Sequence, residues 1–133
     1  MSFTKFHTIL IVHTMLHKKI NNVRYALSGL YLAWQEEFSF RVQVVAMLLA
    51  LLFGAYFGIT TTEWLFLFLT ISFVLSAEVF NTALEELCDK YKADPDPHIG
   101  KIKDLAAAAV LIASFVALIV GAIIFIPYLA ALS

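Results

Sequence analysis

Apolar residues fall into three long segments along the chain, and each segment is long enough to cross a lipid bilayer. The segments run from Val42 to Thr60, from Trp64 to about Leu84, and from Leu105 to about Ala130. Because a transmembrane helix needs about 20 predominantly apolar residues, this pattern predicts an all-α integral membrane protein with three spans. Including their polar ends, we delimit the three helices as residues 38–60, 62–89 and 101–130.

The residues before the first span alternate apolar and polar side chains at helical spacing, as Tyr25 and Tyr31 do against Arg24 and Ser28. No apolar run in this part is long enough to span. We therefore predict an amphipathic helix over residues 18–36, lying at the membrane interface with its aromatic side chains at headgroup level. Residues 1–17 are an extension without an assigned role. A loop at 90–100 joins the second and third spans, so the chain is a single membrane domain.

Composition and charge place the chain in the membrane and orient it. Of the 133 residues, 62% are hydrophobic, which an ordinary soluble domain does not reach. All nine Lys and Arg residues occur before the first apolar segment or between the second and third. The positive-inside rule therefore predicts a cytoplasmic N-terminus and 90–100 loop and an outer C-terminus, as expected of an inner-membrane protein. The net charge of −1 alone says nothing about partners; we expect a membrane partner and no nucleic-acid partner.

The second span ends in a stripe of acids and amides, formed by Glu78, Asn81, Glu85 and Asp89. At about 100° per residue, these four side chains fall within roughly 80° on one helix face. Counting about 20 residues from Trp64 puts Glu78 roughly 9 Å below the inner boundary at about 1.5 Å per residue. A carboxylate in hydrocarbon is costly, so this stripe indicates a functional site rather than a simple anchor.

Further acids and lysines flank the stripe on the predicted cytoplasmic side, among them Glu36, Glu37 and Lys103. Carboxylates without a histidine–cysteine set suit a hard cation such as Mg²⁺ carried by phosphates. Phosphoryl transfer needs metal-bound acids, a lysine on phosphate and an acid that accepts the proton of the attacking hydroxyl. Glu78 suits the last role, because burial makes it a better proton acceptor. Lys103 could hold a phosphate beside a helix N-terminus.

Simpler explanations exist for parts of this pattern. Asp89 could be a structural ion-pair partner of Lys103, and Glu86 with Lys90 could be a solvated i,i+4 pair. No GxxxxGK loop is present, so a kinase on this chain would need another phosphate site. Small residues at every fourth position predict close helix packing and favour an oligomer; they are Ala46, Ala50, Gly54, Gly58, Ala109, Ala113, Ala117 and Gly121.

The run Ala77 to Glu85 has the pattern E-x-x-N-[ST]-A-x-E, and it is followed by Asp89 and then by the pair Lys103–Asp104. A further segment, Trp34 to Arg41, stands just before the first span. Together these segments resemble the prokaryotic diacylglycerol kinase family, which includes undecaprenol kinases.

The resemblance implies a homotrimer of three-span subunits that phosphorylates a lipid with ATP and Mg²⁺. It implies that Glu78 is the catalytic acid and that Glu37 and Glu85 bind the metal. By the same resemblance, Glu78 contacts the lipid substrate together with Trp34 and Arg41. The nucleotide contacts that it implies are Lys103, Asp104, Asn81, Asp89, Lys18 and Asp94.

Our hypothesis is a lipid kinase that converts diacylglycerol to phosphatidic acid at the inner leaflet. Undecaprenol is an alternative acceptor, because both lipids present one hydroxyl at a similar depth. A small proton or cation transporter subunit is an alternative from another class, and it predicts a lone acid near the bilayer midplane without a cytoplasmic cluster. A non-catalytic assembly protein would bind no nucleotide.

Overall fold

The protein is described by a computed structural model over residues 21–91 and 96–132, apart from the side chain of Tyr91. Residues 21–36 are helical and form the described part of α1. Three longer helices follow, α2 at Phe38–Phe57, α3 at Thr61–Tyr91 and α4 at Pro97–Ala130. No strand occurs in the described ranges. The predicted all-α architecture is therefore confirmed.

Helices α2, α3 and α4 are each long and apolar enough to cross a membrane, as predicted. They contain 20, 31 and 34 residues, which correspond to lengths of about 30, 46 and 51 Å at about 1.5 Å per residue. A hydrocarbon core is about 30 Å thick, so α3 and α4 extend beyond it. The polar part of α3 can thus continue the helix out of the bilayer.

Helix α1 carries exposed apolar side chains, including Tyr25 and Tyr31, which are 72% and 63% exposed. Such side chains fit a helix that lies against a lipid surface. The predicted helix over 18–36 is present from residue 21 onward, and Lys18 lies outside the described residues. Residues 37–133 belong to a separate compact unit.

The turn between α2 and α3 is set by a glycine and a threonine. Gly58 ends α2 in the left-handed conformation, with φ 62° and ψ 45°, which glycine adopts without steric cost. Thr60 then caps α3, because its Oγ1 accepts a hydrogen bond from the Glu63 backbone N–H at 3.3 Å, while the Glu63 carboxylate accepts one from the Thr60 backbone N–H at 2.7 Å. This reciprocal pair is a capping box.

Helices α3 and α4 make the main interhelical contact and stay in antiparallel register over their length. At one end Lys103 pairs with Asp89, and at the other the Tyr128 hydroxyl donates to the Glu63 carboxylate at 2.8 Å. The two polar contacts are 25 residues apart on α4 and 26 apart on α3, which is about 39 Å along a helix. Their separation exceeds the roughly 30 Å thickness of a hydrocarbon core, as expected for contacts at the two ends of a membrane-spanning helix pair.

The tightest packing lies near the turn. Gly54 of α2 is buried, and a Cβ at this position would lie 2.8 Å from Cη2 of Trp64. Ile59, Leu67 and Ile124 form the buried cluster beside it. The close approach at Gly54 is the contact that the small-residue pattern predicted, whereas Gly58 serves as the turn residue.

Helix α4 begins at Pro97, four residues before the predicted start at 101. Asp96 is its N-cap, and its side chain accepts a hydrogen bond from the His98 backbone N–H at 2.9 Å. Proline in the first turn needs no donor there and has a helical φ. Pro97, which falls in the predicted 90–100 loop, therefore starts the helix instead.

Candidate active site

The Glu78 carboxylate faces the protein and not the lipid. Glu78 is only 4% exposed, and its Oε2 accepts a hydrogen bond from Nε2 of Gln43 at 2.7 Å. Gln43 lies five residues after the start of α2, which is about 7.5 Å along the helix. The carboxylate is therefore buried between α2 and α3 at a depth just inside one end of α2.

The next turn of α3 continues the polar stripe. Nδ2 of Asn81 donates to Oε1 of Glu85 at 2.9 Å, and both residues are half-buried. This i,i+4 hydrogen bond orients the Glu85 carboxylate along the helix. The stripe predicted from the spacing thus presents Glu78 and Glu85 on one side of α3.

The exposed end of the stripe is tied to α4. Nζ of Lys103 lies 2.7 Å from Oδ1 of Asp89, and their side chains are 35% and 67% exposed. Asp89 was considered both as a structural partner of Lys103 and as part of the site. The two explanations are compatible, because the ion pair holds Lys103 beside the acidic stripe. The lysine is accessible to a phosphate that approaches from the aqueous side.

Three buried polar atoms near Glu78 have no hydrogen-bond partner: Oε1 of Gln43, Oδ1 of Asn81 and Oγ1 of Thr82. An unsatisfied buried polar group costs about 1–3 kcal/mol, so such atoms call for an explanation when several occur together. One belongs to the hydrogen-bond partner of Glu78, the one buried carboxylate among the described residues, and the other two lie three and four residues after it on α3. A buried carboxylate with unpaired polar atoms close to it in the chain suits a site that binds a polar ligand.

The sequence interpretation did not select Gln43 or Thr82. Both are identified only by the contact and burial around Glu78. A signal for Gln43 was present, since an amide stands directly after Val42, the first residue of the first apolar segment. What the pattern lacked was the register that brings α2 beside α3.

The proposed metal ligands have suitable chemistry but do not form a closed cage. Glu37 is the N-cap residue of α2, without a side-chain capping bond, and is half-buried, as is Glu85. Within residues 21–91 and 96–132, no three His, Cys, Asp or Glu residues are placed to hold a metal together. Mg²⁺ is usually bound by one or two carboxylates plus phosphate oxygens and water. Two carboxylates therefore fit a metal that arrives with a nucleotide.

The remaining predicted contacts lie at different places in the chain. Asp104 is exposed near the start of α4. The Arg41 guanidinium carbon lies 5.9 Å from the centre of the Phe38 ring, within range of a cation–π contact. Trp34, on α1, is 41% exposed. Asp94, like Lys18, lies outside the described residues.

An apolar cavity of about 580 Å³ lies among α2, α3 and α4, and Gln43 lines it. Its other walls are mostly hydrocarbon, from residues such as Met47, Val74, Ala117 and Phe125. The hydrogen-bonding partner of Glu78 therefore also borders a space that is suited to apolar chains.

The amino-acid sequence is also similar to those of known proteins. The sequence pattern of the prokaryotic diacylglycerol kinase family matches residues 24–125. The chain is 33% identical to a diacylglycerol kinase of Escherichia coli (strain K12) over 100 residues, which cover 75% of this chain and 82% of that protein. It is 29% identical to an undecaprenol kinase of Bacillus subtilis (strain 168) over 114 residues, covering 86% and 93%.

Proposed function

Since this chain belongs to the prokaryotic diacylglycerol kinase family and is a membrane-bound lipid kinase, we propose that it transfers the γ-phosphate of ATP to a lipid hydroxyl at the cytoplasmic leaflet. The observation that carries the proposal is the buried Glu78 carboxylate, hydrogen-bonded to Gln43 near one end of the spans. A lipid alcohol can reach that depth from within the bilayer.

Glu78 acts as the proton acceptor in this proposal. The hydroxyl proton passes to the carboxylate while the hydroxyl oxygen bonds to the γ-phosphorus, and the bridging oxygen leaves with ADP. A general base placed within about 2.6–3.2 Å of its proton contributes about 10²–10⁴-fold to the rate. No other acid among the described residues is both buried and on the same helix face as Glu85 and Asp89.

Glu37 and Glu85 would hold Mg²⁺ through hard carboxylate oxygens, which are the donors that this ion prefers. When bound, the ion neutralises charge on the transferring phosphate. Lys103 would contact phosphate oxygens as a point charge, with Asp89 fixing its position. Asn81 and Asp104 complete the proposed nucleotide side of the site, together with Asp94 and Lys18.

Diacylglycerol is our first candidate acceptor, because the E. coli protein with that activity in its name is 33% identical to this chain. Undecaprenol is the second, because the B. subtilis undecaprenol kinase aligns over a larger share of both chains. The apolar cavity beside Gln43 is compatible with the hydrocarbon tail of either lipid.

We also propose a homotrimer with sites shared between subunits. Its support is that small residues recur at every fourth position along two of the spans, a pattern that favours close packing between helices of different subunits. Co-purifying Glu78→Gln with Lys103→Met subunits tests this, because a shared site gives some mixed sites both intact residues. Activity in the mixture above that of either variant supports sharing, and none contradicts it.

The decisive experiment is a side-by-side kinase assay. Purified protein in lipid micelles receives γ-labelled ATP, Mg²⁺ and either diacylglycerol or undecaprenol, with a lipid-free control. We expect labelled lipid phosphate with one acceptor strongly preferred, and none after chelation of Mg²⁺. Absence of labelled lipid with both acceptors would refute the function. Cation or proton flux through liposomes without ATP would support the transporter alternative instead.

A further inference from the structure

Gln43 carries an amide near the start of the membrane-spanning helix α2, and its apolar surroundings limit the hydrogen bonds that this amide can make. The residues after it in α2, Val44 to Phe57, are predominantly apolar. A polar side chain in such a helix is costly unless it finds a hydrogen-bond partner. The partner of Gln43 is the carboxylate of Glu78, 35 residues away in the sequence, at 2.7 Å.

The chemistry of the pair fixes the orientation of both side chains. An ionised carboxylate only accepts hydrogen bonds, so the amide must present its nitrogen and turn its oxygen away. The Gln43 Oε1 atom is indeed buried without a partner. Because Oε2 of Glu78 is engaged by Gln43, rotation of the carboxylate is restrained, and this sets the direction in which Oε1 points.

Orientation matters for a proton acceptor, because a misplacement of about 1 Å can cost about 10²-fold in rate. We propose that Gln43 is a positioning residue for phosphoryl transfer, which holds the Glu78 carboxylate so that its second oxygen meets the hydroxyl of the lipid acceptor. This inference rests on the proposed function, since it concerns the same site. Gln43 itself contacts neither nucleotide nor metal in this arrangement.

The test compares three substitutions of Gln43 in the full-length protein. Gln43→Leu removes the amide, and Gln43→Asn keeps the amide but shortens its reach by about 1.5 Å, one carbon–carbon bond. Gln43→His restores an N–H donor at a similar reach. Val45→Ile is the matched control, because Val45 lies two residues along α2, is 51% exposed, does not line the cavity and keeps its apolar character in the variant.

We expect Gln43→Leu and Gln43→Asn to lower kcat by about 10- to 100-fold. The KM for ATP should stay within about twofold of the wild-type value, because no nucleotide contact is lost. Gln43→His should recover most of the kcat, and Val45→Ile should leave it unchanged. If Gln43→Leu does not fold, the Asn and His variants carry the comparison, since both keep a polar side chain.

Three results would overturn the proposal. One is a wild-type kcat in Gln43→Asn. Another is an equal loss of kcat in Gln43→Asn and Gln43→His. That result would mean that the volume of the side chain at position 43 matters and its N–H donor does not. The third is a loss of kcat that follows the melting temperature across all variants, Val45→Ile included. An inactive wild-type protein would instead refute the proposed function before any variant is compared.

Discussion

Replacing Glu78 by Gln separates catalysis from folding, because the two side chains have nearly the same shape. The amide oxygen of the new side chain can still accept the hydrogen bond that Gln43 donates at 2.7 Å. What the substitution removes is the negative charge and the ability to take a proton. The packing of a residue that is only 4% exposed is left intact.

The expected magnitudes follow from that geometry. Loss of a general base lowers the rate by about 10²–10⁴-fold, which should appear in kcat with little change in the KM for ATP. Stability should not fall, since an acid inside a membrane helix costs about 2.5–3.5 kcal/mol on insertion scales and the amide carries no charge. We therefore expect a melting temperature equal to or above that of the wild-type protein.

The assay measures lipid phosphate from γ-labelled ATP and, in parallel, thermal unfolding in the same detergent. Glu78→Asp is the companion variant, because it keeps the charge and withdraws the carboxylate by about 1.5 Å; it should retain more activity than Glu78→Gln. Near-normal turnover of Glu78→Gln would refute the proton-acceptor role. A strongly lowered melting temperature would show instead that the charge is structural.

Three other substitutions address the ends of the helices and their packing. Lys103→Met should raise the KM for ATP by about tenfold or more, while stability changes little because its ion pair is partly exposed; ATP titrations and thermal unfolding check this. Tyr128→Phe removes a hydrogen bond to the Glu63 carboxylate, which should lower the melting temperature with kcat unchanged; a changed kcat would contradict the separation of the two ends. Gly54→Ala places a methyl group 2.8 Å from an indole carbon and should destabilise by about 1–3 kcal/mol, whereas Gly121→Ala, with nothing within 4 Å, should not.

Local patterns were sufficient for the spans and for the acidic stripe. Apolar length defines a membrane helix because the bilayer has a fixed thickness. Helical periodicity places Glu78, Asn81 and Glu85 on one face wherever the helix lies. The Asn81–Glu85 hydrogen bond is likewise a contact within one helix. These features depend on neighbours three or four positions away, so spacing along the chain predicted them.

Helix ends were less well determined, because a cap depends on side-chain geometry that several nearby residues can supply. Thr60, Thr61 and Thr62 all precede Glu63, and the structure selects Thr60, whose spacing completes the reciprocal bonds of a capping box. At α4, Pro97 starts the helix because Asp96 caps it. Composition alone does not distinguish a proline that stops one helix from a proline that starts the next.

The sequence alone predicted that Glu78 lies below the membrane surface, because hydropathy and periodicity are properties of a single helix. Only the tertiary arrangement decided which side chain meets that acid. The pairing of Gln43 with Glu78 and of Tyr128 with Glu63 depends on the antiparallel register of separate helices. The register of α2 against α3 follows from the left-handed turn at Gly58 and the close approach of Gly54 to Trp64. The register of α4 follows from its packing on α3. Both depend on contacts between helices and not on the spacing within any one of them.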